Sequence, residues 1–287
     1  MFDHGRGVPI VLIPGIQGRW EWMRQAVDAL ATQNRVITDS LPSEPGSIAS
    51  INTQRGFESF IDWLDQLLAK ADLDRVSLCG VSYGGWVAVH YAAARPMKVS
   101  SLTLVSTPSP SWQPPCHIER YLRTPRLMAP VFAATSPLRL YPEISTSLPS
   151  LRQRLLFGAR YLARVITSPA TPTRMADRMR LAQHVDFKAD CSRILAPTQI
   201  ITGEPHLDRV VPVDSSREYL GTISGSKAVT IENTGHIGIA TRPLRFAKMV
   251  SDHARKAISI KPLSEHCLLY TSPSPRDRTR SRMPSSA

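Results

Sequence analysis

The chain has 287 residues, 42% of them hydrophobic and 20% charged, with 35 Lys plus Arg against 23 Asp plus Glu and a net charge of +12. That length makes one large domain or two small ones and can bury a core without disulfides or metals, and the composition excludes a collagen-like or wholly disordered chain. No apolar run reaches the ~18 residues of a membrane span, no secretory signal pattern opens the chain, and the four cysteines have neither disulfide-framework nor zinc spacing, so a cytoplasmic chain with no metal and no cofactor is expected.

The elements follow in chain order. Residues 8–13, Val-Pro-Ile-Val-Leu-Ile, form a short continuous apolar run that ends in Pro14-Gly15, which predicts a buried strand and a tight loop. Residues 20–31 carry Trp22, Met23, Ala26, Val27 and Leu30 at helical spacing, and residues 35–38 read as a second strand. After a Pro-rich loop, residues 53–71 repeat Phe57, Phe60, Ile61, Leu64, Leu67 and Leu68, an amphipathic helix. A strand at 76–79, a helix at 83–94 closed by Pro96, and a strand at 102–105 continue the alternation.

The alternation then stops. Residues 108–186 read as prolines followed by helical pieces, such as 151–165 and 174–184. Strands resume at 198–202 and 228–232, followed by helices near 213–220 and 244–257. The pattern predicts an α/β fold: a mostly parallel central sheet, helices on both faces, and an inserted helical cap. The core is assigned to residues 1–107 and 187–262 and the cap to 108–186.

The charge is unevenly placed. Residues 1–110 carry −1, residues 111–190 carry +7, and residues 191–266 and 267–287 carry +3 each. A basic excess raises nucleic acid, an anionic membrane surface or an acidic substrate as partners. With no zinc-finger spacing, RNP-like strand or KH loop, nucleic acid is set aside. The last stretch, Cys267 to Ala287, is rich in Pro, Ser and Arg and has no helical or strand period. It resembles a translated sequencing adapter, with Arg278-Thr279-Arg280 in the place of an index barcode, and is set aside from fold reasoning.

Three residues stand out chemically. Gly80-Val81-Ser82-Tyr83-Gly84 lies between a predicted strand and a predicted helix. A serine nucleophile on a strained strand-to-helix turn needs glycines around it, and the following helix aims its first N–H groups at developing negative charge. A serine hydroxyl needs a base. Of eight histidines, His236 alone sits in a short Gly-flanked loop, Asn233-Thr-Gly-His-Ile-Gly238, at the carboxyl end of a predicted strand. The base in turn needs a carboxylate. Asp208 lies past the strand that ends at Thr202, with Glu204 and Asp214 as competitors. Glu204 is close to the strand end, and Asp214 falls where an acid favours a helix N-terminus.

The chain order Ser82, Asp208, His236, together with the glycine-flanked serine, resembles the α/β-hydrolase fold superfamily in its cap-bearing serine esterase and lipase-like branch. The resemblance covers about residues 8–257. It implies Ser82 as nucleophile, His236 as base and Asp208 as acid. It also implies that Pro14-Gly15-Ile16-Gln17-Gly18 is the oxyanion loop, with the backbone N–H groups of Ile16 and Tyr83 binding the oxyanion. Two departures stand out. This loop begins Pro-Gly where the family usually has His-Gly, and only seven residues precede the first predicted strand, where the family commonly has two more strands. The serine separates the chain from relatives of this fold that carry an aspartate nucleophile.

The implied activity is cleavage of an ester or thioester through an acyl-enzyme on Ser82. The rival expectations are a non-catalytic ligand-binding protein on the same fold and a Ser-dependent acyltransferase. The expected substrate is a small ester or acyl compound, anionic or carrier-linked in view of the basic cap. Gln17 and Trp112 are candidate substrate contacts, and apolar cap residues such as Leu127, Val131, Leu155 and Phe157 are candidates to line an acyl cleft.

Overall fold

The computed structural model describes residues 1–259. The tail at 267–287, and the last residues of the segment expected at 187–262, lie outside the described residues. The strands are β1 (Phe2–His4), β2 (Val8–Ile13), β3 (Asn34–Thr38), β4 (Val76–Val81), β5 (Val99–Val105), β6 (Thr198–Thr202) and β7 (Lys227–Thr230). They form a sheet of order β1-β3-β2-β4-β5-β6-β7. Every pair is parallel except β1 with β3, where Phe2 faces Thr38.

The continuous apolar run of β2 has a direct explanation, because both faces of the sheet are covered. Val11 and Ile13 point into one core with α2 (Ser59–Lys70) and α3 (Tyr83–Ala94). Ile10 and Leu12 point into a second core with α1 (Arg24–Ala31) and the helix Pro243–Ser259. Period-2 side-chain alternation sends neighbours to opposite faces, so a strand buried on both must be apolar throughout.

The connection from β5 to β6 opens with four helices, α4 (Cys116–Arg123), α5 (Pro125–Ser147), α6 (Leu151–Thr167) and α7 (Pro172–Ala182). α5 runs through Pro130, Pro137 and Pro142, each of which removes one backbone donor from the helix. α6 has no buried residue, and Leu151, Leu155, Leu162 and Ile166 are all more than half exposed. Its inner face touches the body of the protein through Tyr161, which packs edge-on against Trp22 at 5.6 Å. The Trp22 indole donates to the Ser168 carbonyl at 2.9 Å.

Several elements differ from the sequence reading. One strand, β1, precedes β2; at three residues, two of them exposed, it has no pattern to read. The helix expected from residue 20 begins as a 3-10 turn, Trp20–Met23. An unexpected short helix, α8 (Phe187–Ser192), follows the insertion and buries Phe187 against Trp86, ring centroids 5.2 Å apart. The single helix expected near 213–220 is two, α9 (Val213–Arg217) and α10 (Tyr219–Thr222). The remaining described helices are α11 (Gly238–Thr241) and α12 (Pro243–Ser259). Leu127 and Leu155, expected toward an acyl cleft, point outward, 75% and 64% exposed. Helical spacing gives a stripe but not the side of the helix that meets a partner.

Candidate active site

The loops that follow β2, β4, β6 and β7 all leave the same edge of the sheet, because those strands are parallel. That edge is where open α/β sheets place ligands. Ser82 stands between β4 and α3 with φ 52° and ψ −119°, a left-handed conformation that costs energy for a non-glycine residue. It is held there by a bond from its own N–H to the Val105 carbonyl at 2.8 Å and by the Gly85 N–H, which donates to the Ser82 carbonyl at 2.9 Å. A Cβ at Gly80 would collide with the backbone of Gly84 and Gly85, and one at Gly84 would lie 2.5 Å from the Ile13 and Pro14 carbonyls. The glycines are therefore required by the tightness of this turn.

The loop of residues 14–18 backs onto the serine: a Cβ built on Gly15 would lie 3.5 Å from Ser82 Cβ. Its turn is closed by the Gly18 N–H donating to the Gly15 carbonyl at 2.9 Å. Gln17 is half-buried in this loop, its side-chain oxygen near Gly15. Tyr83 is the first residue of α3, where helix N–H groups have no acceptor within the helix. Its side chain is buried against Phe57, Phe60 and Trp86.

Asp208 and His236 come together from loops 28 residues apart in sequence. Asp208 Oδ2 lies 3.4 Å from His236 Nδ1, within ion-pair range and long for a hydrogen bond. The other oxygen, Oδ1, accepts from the N–H groups of Val210 at 3.0 Å and Val211 at 2.9 Å. Burial disfavours the charged carboxylate, but the adjacent imidazole and these two N–H groups outweigh it and hold Asp208 below the usual carboxylate range. Burial likewise disfavours a charged His236, and Asp208, with Glu143 adding to it, outweighs that and raises the imidazole above its ordinary value. The loops are laced together by the Glu204 N–H, which donates to the Thr234 carbonyl at 2.8 Å. Of the competing acids, Glu204 accepts from the Asn233 N–H at 2.8 Å, and Asp214 is exposed in the first turn of α9.

Two charged residues that the sequence did not single out are buried here, both on inserted helices. Glu143 of α5 is fully buried, and its Oε2 accepts from the N–H of Ile237, next to His236, at 3.0 Å. Burial pushes its carboxyl up to about 7, against the pull of the Ile237 and Gly235 N–H groups and of His236. Ser147, one turn on, donates to the Asn233 carbonyl at 2.5 Å. Arg178 of α7 is buried beneath the loop of residues 14–18 and pairs with buried Glu44 at 2.6 Å. A signal for Glu143 existed: it is the single acid between residues 125 and 167.

Trp112, His206 and His90 have partners of their own. Trp112 is half-buried and packs on Trp86 at 5.6 Å, within the core on the α3 side. His206 is exposed, 3.5 Å from Glu204. His90 is buried between Asp190 at 2.8 Å and Glu58 at 2.9 Å. A cavity of about 470 Å³ adjoins it, lined by Glu58, His184, Asp190 and Arg193 among others; Ser82, Asp208 and His236 do not line it.

The family model of the α/β hydrolase fold matches residues 8–243. The chain belongs to the α/β-hydrolase fold family. It is 23% identical to a monoacylglycerol lipase of Xenopus laevis over 91% of this chain and 80% of that protein. It is 25% identical to a pimeloyl-[acyl-carrier protein] methyl ester esterase of Aromatoleum aromaticum, over 77% and 88%. A thermophilic esterase from Thermogutta terrifontis superposes with a TM-score of 0.69 at 22% identity, covering 89% of this chain and 92% of that one. Among the described residues, no helix is long and apolar enough to cross a membrane.

Proposed function

We propose that this protein is a serine hydrolase that cleaves a carboxylic ester or thioester of a small acyl substrate through an acyl-enzyme on Ser82. The observation that carries the reading is the strained Ser82, held at φ 52° on a glycine-walled turn beside the loop of residues 14–18. The cost of that backbone is accounted for if the hydroxyl must project from the strand into a site. The buried Asp208 and its pairing with His236 support the assignment of acid and base.

In this reading Ser82 Oγ attacks the carbonyl carbon as His236 takes its proton. The N–H groups of Ile16 and Tyr83 receive the oxyanion, and Asp208 stabilises the imidazolium. The leaving alcohol or thiol departs with that proton. A water, deprotonated by His236, then releases the acid and restores Ser82. Residues 108–186 act as the cap. Gln17 and Trp112 stay as proposed substrate contacts, and a cytoplasmic location is part of the same proposal.

The relatives support ester chemistry: by their names, one acts on monoacylglycerol and another on the methyl ester of a carrier-bound acyl chain. The basic cap, +7 over residues 111–190, favours an anionic or carrier-linked acyl group. A fluorophosphonate probe tests the reading. Wild type is expected to label and to hydrolyse members of an ester and thioester panel, and Ser82→Ala to do neither. A folded wild type that neither labels nor turns over any of them overturns it.

A further inference from the structure

The Arg178 guanidinium makes an unusual set of contacts for a residue of an inserted helix. Nη1 donates to the Ile16 carbonyl at 3.0 Å, and Nη2 donates to the Glu44 carboxylate at 2.6 Å and the Pro42 carbonyl at 3.4 Å. The same residue's main-chain carbonyl accepts the Tyr83 hydroxyl at 2.9 Å. Gly18 lies flat on the guanidinium at φ +75°, and a Cβ there would come within 2.5 Å of Nη1. One residue therefore touches both segments expected to supply oxyanion donors, residues 14–18 and the start of α3.

The direction of these contacts matters. The Ile16 N–H belongs to the Gly15–Ile16 peptide, whose carbonyl is fixed by the Gly18 N–H. Gly18 holds that position because its α-carbon rests on Arg178 and its carbonyl accepts from the Leu41 N–H at 2.8 Å. The next carbonyl along, that of Ile16, is fixed by Arg178 itself. The peptide that carries the Ile16 N–H and the peptide that follows it are thus both set by one turn seated on the guanidinium.

Stability does not explain the arrangement. The side chains of Arg178 and Glu44 are 2% and 0% exposed, and a buried ion pair is commonly no more stabilising than apolar packing of the same volume. A planar fork that reaches two carbonyls and a carboxylate at once is something an apolar side chain cannot supply, and a lysine point charge supplies it poorly. Glu44 also offsets the charge, so the effect is one of geometry.

The geometry points to Arg178 as a positioning residue: from the cap it holds the oxyanion-binding turn of residues 14–18 in register with the start of α3. This rests on the serine-hydrolase reading above. Misplacing an oxyanion donor by about 1 Å costs on the order of 10²-fold in rate. The test compares wild type, R178K and E44Q, each counted by fluorophosphonate titration of Ser82 so that rates are per competent site. R178K is expected to lose about 10²-fold in kcat with KM changed less than about threefold. The affinity of a trifluoromethyl ketone, which mimics the tetrahedral oxyanion, is expected to fall in parallel. E44Q is expected to show the same pattern more weakly, and carries the test should R178K not fold. A purely structural role would lower the titrated fraction and leave kcat per site unchanged, which overturns the inference. So does a fall in kcat with ketone affinity unchanged. A wild type that does not label overturns the hydrolase reading and this inference with it; a labelled wild type with unaltered variants overturns this inference alone.

Discussion

Glu143 gives a prediction whose size follows from its burial. It is fully buried on α5, one carboxylate oxygen bonded to the Ile237 N–H, and its carboxyl is pushed from its ordinary 4.5 to about 7. In the unfolded chain the group loses its proton near 4.5, while in the folded protein it keeps it to about 7. Between those values the folded state binds more protons, so stability falls as pH rises. The full effect is about 3 kcal/mol, most of which falls between pH 5 and pH 8. Glu143→Gln keeps the shape and one acceptor oxygen and cannot ionise. Urea unfolding of both proteins at pH 5, 6, 7 and 8 measures the difference directly. The glutamine variant should gain on wild type steadily, by about 2 to 3 kcal/mol over that range. A difference independent of pH would refute the burial of an ionisable group at this position.

Three more outcomes follow from the same site and its surroundings. If His236 is the base, as proposed, it must first lose its proton, so the acid limb of kcat/KM should have its midpoint above the ordinary histidine value of 6.5, and a midpoint below that value contradicts the proposal. On the same proposal, Asp208→Asn removes the charge that raises His236; kcat should fall by about 10⁴-fold and the acid limb should move to lower pH, both read from a pH–rate profile. At His90, burial opposes the charge, but Asp190 and Glu58 outweigh it and raise the group. Its stabilisation is fully present below pH 6.5 and is lost as pH rises through the higher folded value. His90→Gln should therefore cost stability at pH 6 and little at pH 9, and a cost equal at both would show that the ion pairs contribute nothing.

Sequence alone was enough for the elements that carry a local signal. The run Val8–Ile13 is apolar at every position because β2 is covered on both faces, so it announces itself without knowledge of its neighbours. Ser82 and His236 drew notice as candidates for a related reason. Each sits at a strand end among glycines, and those glycines are demanded by backbone crowding within a few residues or across one loop. Asp208 became the candidate acid from its place after β6.

Only the tertiary structure decided the rest. Leu155 and Phe157 are equally apolar in sequence, yet one is exposed and the other packs on the core beneath α6. Glu143 and Arg178 look like the charges of a solvated helix face, because burial is a property of what lies opposite. Their partners are 94, 134 and 162 residues away in the chain. A helix period reports which side chains share a stripe. Whether a charge on that stripe meets water, or a carbonyl of the loop beside Ser82, is settled by how the inserted helices dock on the sheet, and that contact has no local signature.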